Sequence, residues 1–147
     1  MLRVVILAVC LSSMVYCKPK YMDELPNGHN IPNPCKPGET WPASGHNDPT
    51  DGDSDINQFG EDFKHHHKEW NKELCMLDSD RDGKTNGAEL GDPSCIWTHK
   101  GSHNLPAPTG HPGICEPVGS PACSFQGFSC AGGFSGKHHH GRDYQSD

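Results

Sequence analysis

Proline or glycine interrupts this chain every few residues from Lys18 to Asp55 and again beyond Thr98. Proline has no backbone N–H donor and pushes the preceding residue away from helix, while glycine weakens any regular element it occupies. Over those stretches the punctuation rules out long helices and leaves turns with at most short strands. Gly (17) and Pro (13) together make about a fifth of the 147 residues, and only 32% of the chain is hydrophobic. A single small domain is the most such a length supports, and ordinary aliphatic packing cannot hold it together alone.

Covalent staples supply what the core lacks. Residues 1–17 read as a secretory signal peptide: Arg3, an apolar stretch from Val4 to about Met14, then small Val15 and Cys17 before Lys18-Pro19-Lys20 breaks the pattern. The expected localisation is therefore secreted and extracellular. Removing that segment takes Cys10 and Cys17 with it and leaves six cysteines: Cys35, Cys75, Cys95, Cys115, Cys123 and Cys130. An even number in a small secreted chain reads as three disulfides, but six cysteines allow 15 pairings and the spacing does not choose among them. Without Arg3 the charge becomes −8, from 11 basic against 19 acidic residues. That balance argues against a nucleic-acid partner. No apolar run reaches the roughly 18 residues of a membrane span.

The texture changes at Gly60. Phe59, Phe63, Trp70, Leu74 and Leu77 fall on one face of a helix expected from Gly60 to Leu77, with Glu61 and Asp62 placed favourably at its positive end. It leads into Asp78-Ser79-Asp80-Arg81-Asp82-Gly83-Lys84-Thr85-Asn86-Gly87-Ala88-Glu89, which fits the twelve-residue EF-hand pattern at every fixed position. Calcium wants six to eight oxygens. Asp78, Asp80 and Asp82 would present carboxylates and Lys84 its carbonyl. Asn86 would contribute directly or through water, and Glu89 would close the shell with both oxygens. Leu90-Gly91-Asp92-Pro93 stops the exit helix within a turn, so the expected Ca2+ site is weak or structural, in the range of about 10⁻⁴–10⁻³ M typical of extracellular modules. The competing reading is an acidic, solvated turn. A second cluster, Asp51, Asp53 and Asp55, has Ile56 where a glycine is needed and reads as such a turn.

Other features carry less. His65-His66-His67 cannot converge on one ion from a helix, because consecutive residues point about 100° apart. His138-His139-His140 could take up a transition metal loosely. Neither His-Glu-x-x-His nor Gly-x-Ser-x-Gly occurs, so no enzyme is expected. Trp41 and Trp97 are expected to complete a small core against Phe63, Trp70 and Leu74. The organisation expected is a disulfide domain over 18–115 followed by a Gly/Ser/His-rich, poorly ordered tail over 116–147. The fold class is small, disulfide-rich and mostly coil, with one amphipathic helix leading into an EF-hand-like loop.

Several segments together resemble the temptins, a secreted water-borne protein pheromone family of molluscs. They are Leu25-Pro26-Asn27-Gly28-His29-Asn30-Ile31-Pro32-Asn33-Pro34-Cys35, Gly45-His46, Phe59-Gly60-Glu61-Asp62-Phe63, and the stretch from Trp70 through the Asp-rich loop to Cys95 and Trp97. The resemblance implies a disulfide-held extracellular module that acts by binding, in a complex with other secreted proteins or at a cell-surface receptor. It also implies nested bridges, Cys75–Cys95 across the loop and Cys35–Cys115 around it, which leaves Cys123 with Cys130. Arg81 stands where the family usually has glycine, and the His-rich helix and the tail bearing Cys123 and Cys130 look additional. Two roles follow: a signalling or attractant protein working through its surface, or a calcium-binding matrix protein with no signalling role. The absence of repeats and of long acidic tracts favours the first.

Overall fold

The computed structural model describes residues 21–49, 55–101, 103–131, 133 and 134. The signal segment, Asp51, Asp53 and the trio His138–His140 lie outside the described residues. Most of the described chain is turns and irregular backbone. Three short helices follow one another: α1 over Gln58–His65, α2 over Lys72–Met76 and α3 over Asn86–Glu89. A 3₁₀ helix spans Pro121–Gln126, and β1 (Phe128–Ser129) pairs antiparallel with β2 (Gly133–Phe134). Among the described residues, no helix is long and apolar enough to cross a membrane.

The single helix expected from Gly60 to Leu77 is two. α1 begins two residues early because the Asn57 side chain accepts the Gly60 N–H at 2.9 Å while donating to the Ser44 and His46 carbonyls. It ends at the histidine run, where His67 and Lys68 take left-handed backbone (φ 60° and 61°) and their N–H groups close onto Lys64 and Phe63 carbonyls. Asn71 then starts α2 by capping the Leu74 N–H at 2.9 Å. Short polar side chains compete with the helix for backbone groups, so an asparagine in mid-stripe is a natural restart point. The break decides which residues face inward. Leu74 and Cys75 are fully buried, whereas Leu77 is left 39% exposed.

Phe59 and Phe63 from α1, Leu74 from α2 and Leu90 just past α3 meet Leu25 and Ile31 from the N-terminal turns in one apolar cluster, with Trp70 packed against its edge. The expected tryptophan arrangement does not occur. Trp41 is buried, but its ring lies 5.1 Å from that of His111 and 6.2 Å from that of Phe128, in a separate small cluster. Trp97 is half-buried beside His99, its ring 6.4 Å away. Asp92 ties this side together: it is fully buried and accepts from Trp70 Nε1 and from the Ile96 and Trp97 N–H groups.

All six cysteines are bridged, and one expected pair is found: Cys75–Cys95. The other two partners are exchanged. Cys35 joins Cys130, and Cys115 joins Cys123, not the Cys35–Cys115 and Cys123–Cys130 pairs that the resemblance implies. The local cause is the 3₁₀ helix, which folds Cys123 back onto Cys115. Gln126 seals the fold-back by accepting the Cys115 N–H (2.8 Å) and donating to the Gly113 carbonyl (2.9 Å). Cys130 is then carried over to Cys35. Two bridges, through Cys123 and Cys130, anchor this segment to the domain.

Candidate metal centre

The Asp-rich loop leaves α2 at Leu77 and returns as α3, whose Thr85 side chain caps the Ala88 N–H. The two helical turns pack together, and the Asn86 N–H bonds the Leu77 carbonyl at 2.7 Å, closing the loop at its base. Inside it, backbone donors fix the aspartates. Asp78 Oδ1 and Asp80 Oδ1 share the Asp82 N–H at 3.2 Å each, Asp78 Oδ2 accepts from Gly83 at 3.0 Å, and Asp82 Oδ1 accepts from Lys84 at 2.9 Å. Gly83 turns the chain at φ 95°, which a side chain would resist. Arg81 holds left-handed backbone too, at φ 61°. Ser79 Oγ donates to Asp62 Oδ2 at 2.7 Å and so tethers the loop to α1.

One oxygen from each of Asp78, Asp80 and Asp82 lies within 4.8 Å of the others. Oxygens on opposite sides of one calcium ion stand about 5 Å apart, so the three fit a common ion. Glu89 lies outside this triangle, yet close enough for the charges of Asp80 and Asp82 to act on it. Its residue is fully buried and neither oxygen has a hydrogen-bond partner. Of the seven buried side-chain polar atoms without a partner among the described residues, four are Asp80 Oδ2, Asp82 Oδ2 and the two Glu89 oxygens. Native folds rarely leave such atoms bare, because each costs about 1–3 kcal/mol, more when charged. Burial, reinforced by Asp82 and Asp78, pushes the Asp80 carboxyl up to about 8. Burial, followed by the charges of Asp80, Asp82 and Glu116, pushes Glu89 up to about 10.

One of the expected ligands sits differently. The Asn86 side chain is fully buried and engaged in the scaffold: Oδ1 accepts the Ser79 N–H, and Nδ2 donates to the Leu74 carbonyl and Ser79 Oγ at 2.9 Å each. It positions the loop instead of pointing into the carboxylate cluster. Lys84 is exposed, and its ammonium offsets only part of the burial-driven rise in the pKa of Glu89 and Glu116. The histidine run marks the helix break: His67 is exposed and His66 shares a hydrogen bond with Asn71. Of the second acidic cluster only Asp55 is described, and it is exposed.

Three residues beside the loop carried no sequence signal. Thr109 donates its N–H to the Glu89 carbonyl at 2.7 Å and its hydroxyl to the Ala88 carbonyl, clamping the 109–110 strand of chain onto α3. His111 is wholly buried, and burial lowers its imidazole to about 3. Its Nδ1 accepts the Gly113 N–H while Nε2 has no partner. Glu116, half-buried, accepts the His111 N–H at 2.8 Å, and burial raises its pKa.

The family model described as Temptin C-terminal matches residues 15–114, two thirds of the sequence. The chain belongs to the temptin family. It is 39% identical over 115 residues to Temptin of Aplysia californica, covering 78% of this chain and 91% of that protein. No solved structure matches. The temptin model takes in the whole Asp78–Glu89 loop and stops one residue short of Cys115. The Cys115–Cys123 fold-back and Glu116 therefore lie beyond the matched family region.

Proposed function

We propose that this protein is a secreted, pheromone-like attractant that acts by recognition without catalysis, and that calcium holds its Asp78–Glu89 loop in the recognised shape. Membership of the temptin family over most of the chain supports the first part. The observation that carries the second is Glu89, a fully buried carboxylate with two unpartnered oxygens beside three converging aspartates. Asp78, Asp80, Asp82 and Glu89 would hold the ion, and Asn86 and Ser79 would keep the loop base in register. Calcium supplies there the positive charge that cancels the repulsion among these carboxylates. The exit turn α3 is four residues long and cannot open a groove, so the loop acts as a fixed surface and not as a switch.

Calorimetric titration of chelator-treated protein tests the calcium reading, followed by melting with and without calcium. Heat at millimolar calcium is expected, and at tenfold above Kd the folded state should gain about 1.4 kcal/mol. Absence of both heat and a melting shift would reduce the loop to an acidic turn. The attractant reading is tested by releasing purified protein into water and scoring the approach of animals of the source species. Loss of approach with the Glu89→Gln variant would link the two readings, and no approach to the wild-type protein would return the molecule to a matrix role.

A further inference from the structure

Glu89 does not face only its own loop. Thr109 and Gly110 are clamped across the end of α3, and Gly110 is buried against the Glu89 side chain. A Cβ placed on Gly110 would lie 2.8 Å from Glu89 Oε1 and 3.4 Å from Glu116 Oε1. A single methyl-sized volume therefore touches one oxygen of each carboxylate, and only glycine leaves it clear. Glu116 comes from a rigid platform. It follows the bridged Cys115, whose N–H is held by Gln126, and its own Oε1 is fixed by the His111 N–H. Among the described residues, its second oxygen has no hydrogen-bond partner. Two carboxylates from distant segments, one of them wholly buried and bare, thus converge on a cleared space, near enough to the loop for the charge of Asp82 to act on both.

The geometry points to Glu116 as a further calcium ligand, supplied from outside the loop, so that one ion joins segment 78–89 to the Cys115–Cys123 fold-back. This rests on the calcium reading above. It adds a fifth carboxylate to Asp78, Asp80, Asp82 and Glu89 and takes the place left by Asn86, whose side chain is spent on the scaffold. It also explains why Gly110 carries no side chain at that approach.

Glu116→Gln is the informative variant. Oε1 is held by the His111 N–H, so the ligand assigned is Oε2; Gln keeps its oxygen on that N–H and turns the Oε2 position into an amide nitrogen, a donor that cannot ligate a cation. The full disulfide-bonded protein is titrated with calcium by calorimetry. It is then loaded with terbium, whose luminescence decay in light and heavy water counts the waters bound to the ion. Glu116→Gln is expected to weaken calcium binding by about 10–100-fold and to add one bound water, with unchanged circular dichroism in chelator. An unchanged water count overturns the assignment even if affinity falls, because a neighbouring charge alone weakens binding without opening the shell. Failure of the wild-type protein to bind calcium at all would instead overturn the parent reading, so the two failures are distinct. Gly110→Ala, which fills the shared space, should weaken calcium binding as well; full affinity in that variant would also count against Glu116.

Discussion

Leu74 and Glu89 are both fully buried, and the helical turns that carry them, α2 and α3, pack together. Their energetics run in opposite directions. Leu74 sits among Leu25, Ile31, Phe59, Phe63 and Leu90, where every square ångström removed from water is favourable at about 25 cal/mol. Glu89 brings two oxygens into the interior and finds no donor for either. Burial as such therefore says nothing about stability; the partners decide. In this molecule one side of the α2–α3 unit stabilises the fold without help, while the other is a cost that the disulfides and the apolar cluster must absorb. The bridge Cys75–Cys95 spans both sides, closing a 20-residue loop worth about 3 kcal/mol in the chain-entropy model.

The largest expected effect separates these two sides. Leu74→Ala should cost about 2–5 kcal/mol, by lost transfer energy and the cavity left behind, and it should do so equally with and without calcium. Glu89→Gln should do the reverse. In chelator it should raise stability by at least about 1 kcal/mol, since one pKa unit of displacement corresponds to about 1.4 kcal/mol. In calcium it should forfeit the ligand-induced gain. Melting of both variants under both conditions, with wild type alongside, reads the contrast in four numbers. Equal losses from both substitutions in chelator would mean that the Glu89 environment is not a cost at all.

The pH dependence sharpens the same comparison. Asp80 and Glu89 have folded pKa values raised to about 8 and about 10, above their ordinary carboxylate values. From pH 5 upward the unfolded chain has released these protons and the folded chain has not, so the folded state binds more protons and stability falls as pH rises. His111 acts the other way: its folded value is lowered to about 3, so it removes stability as pH falls from about 6.5 toward 3. The two effects oppose each other below about pH 6.5 and only the carboxylates act above it. Metal-stripped protein is therefore expected to lose melting temperature steadily between pH 7 and 8, and saturating calcium should flatten that slope. A slope that survives saturation would place these carboxylates outside the ion's reach.

What the sequence made legible follows from how local the cause is. The acidic pattern from Asp78 to Glu89 was legible because it lies within twelve consecutive residues, and one oxygen from each of Asp78, Asp80 and Asp82 comes within 4.8 Å of the others. Phe59, Phe63 and Leu74 were readable as one apolar face because each helical turn repeats locally. The break between them was not. It rests on left-handed His67 and Lys68, where glycine or proline would have given warning, and the one available signal was Asn71 as a cap. The bridges Cys35–Cys130 and Cys115–Cys123 depend on how a 3₁₀ helix folds back, which no spacing encodes. Asn86 misled for a related reason: its position fits a ligand, but a buried amide with three scaffold bonds at hand satisfies itself first. Glu116 and Gly110 meet Glu89 only through tertiary contact, so no motif could have announced them.

The smallest expected effect tests whether loop backbone and loop charge can be separated. Arg81 holds a left-handed conformation, φ 61°, inside the loop. An ordinary side chain there costs about 1–2 kcal/mol, whereas glycine would lose roughly 0.5–1 kcal/mol more backbone entropy on folding. Arg81→Gly should therefore be neutral to stabilising in chelator, by no more than about 1 kcal/mol. Calcium affinity should change as well, for a different reason. Arg81 is exposed and flanks Asp80 and Asp82, so its positive charge opposes a cation in the loop, and removing it should tighten binding at low salt. Raising salt to about 0.5 M should shrink that difference, because exposed charges are screened over a few ångströms. Arg81→Lys provides the control, keeping both the charge and the strained backbone, and should match wild type in stability and in affinity. If Arg81→Gly instead weakens calcium binding at every salt concentration, the arginine side chain is organising the loop and the loop's shape is not set by its backbone and carboxylates alone.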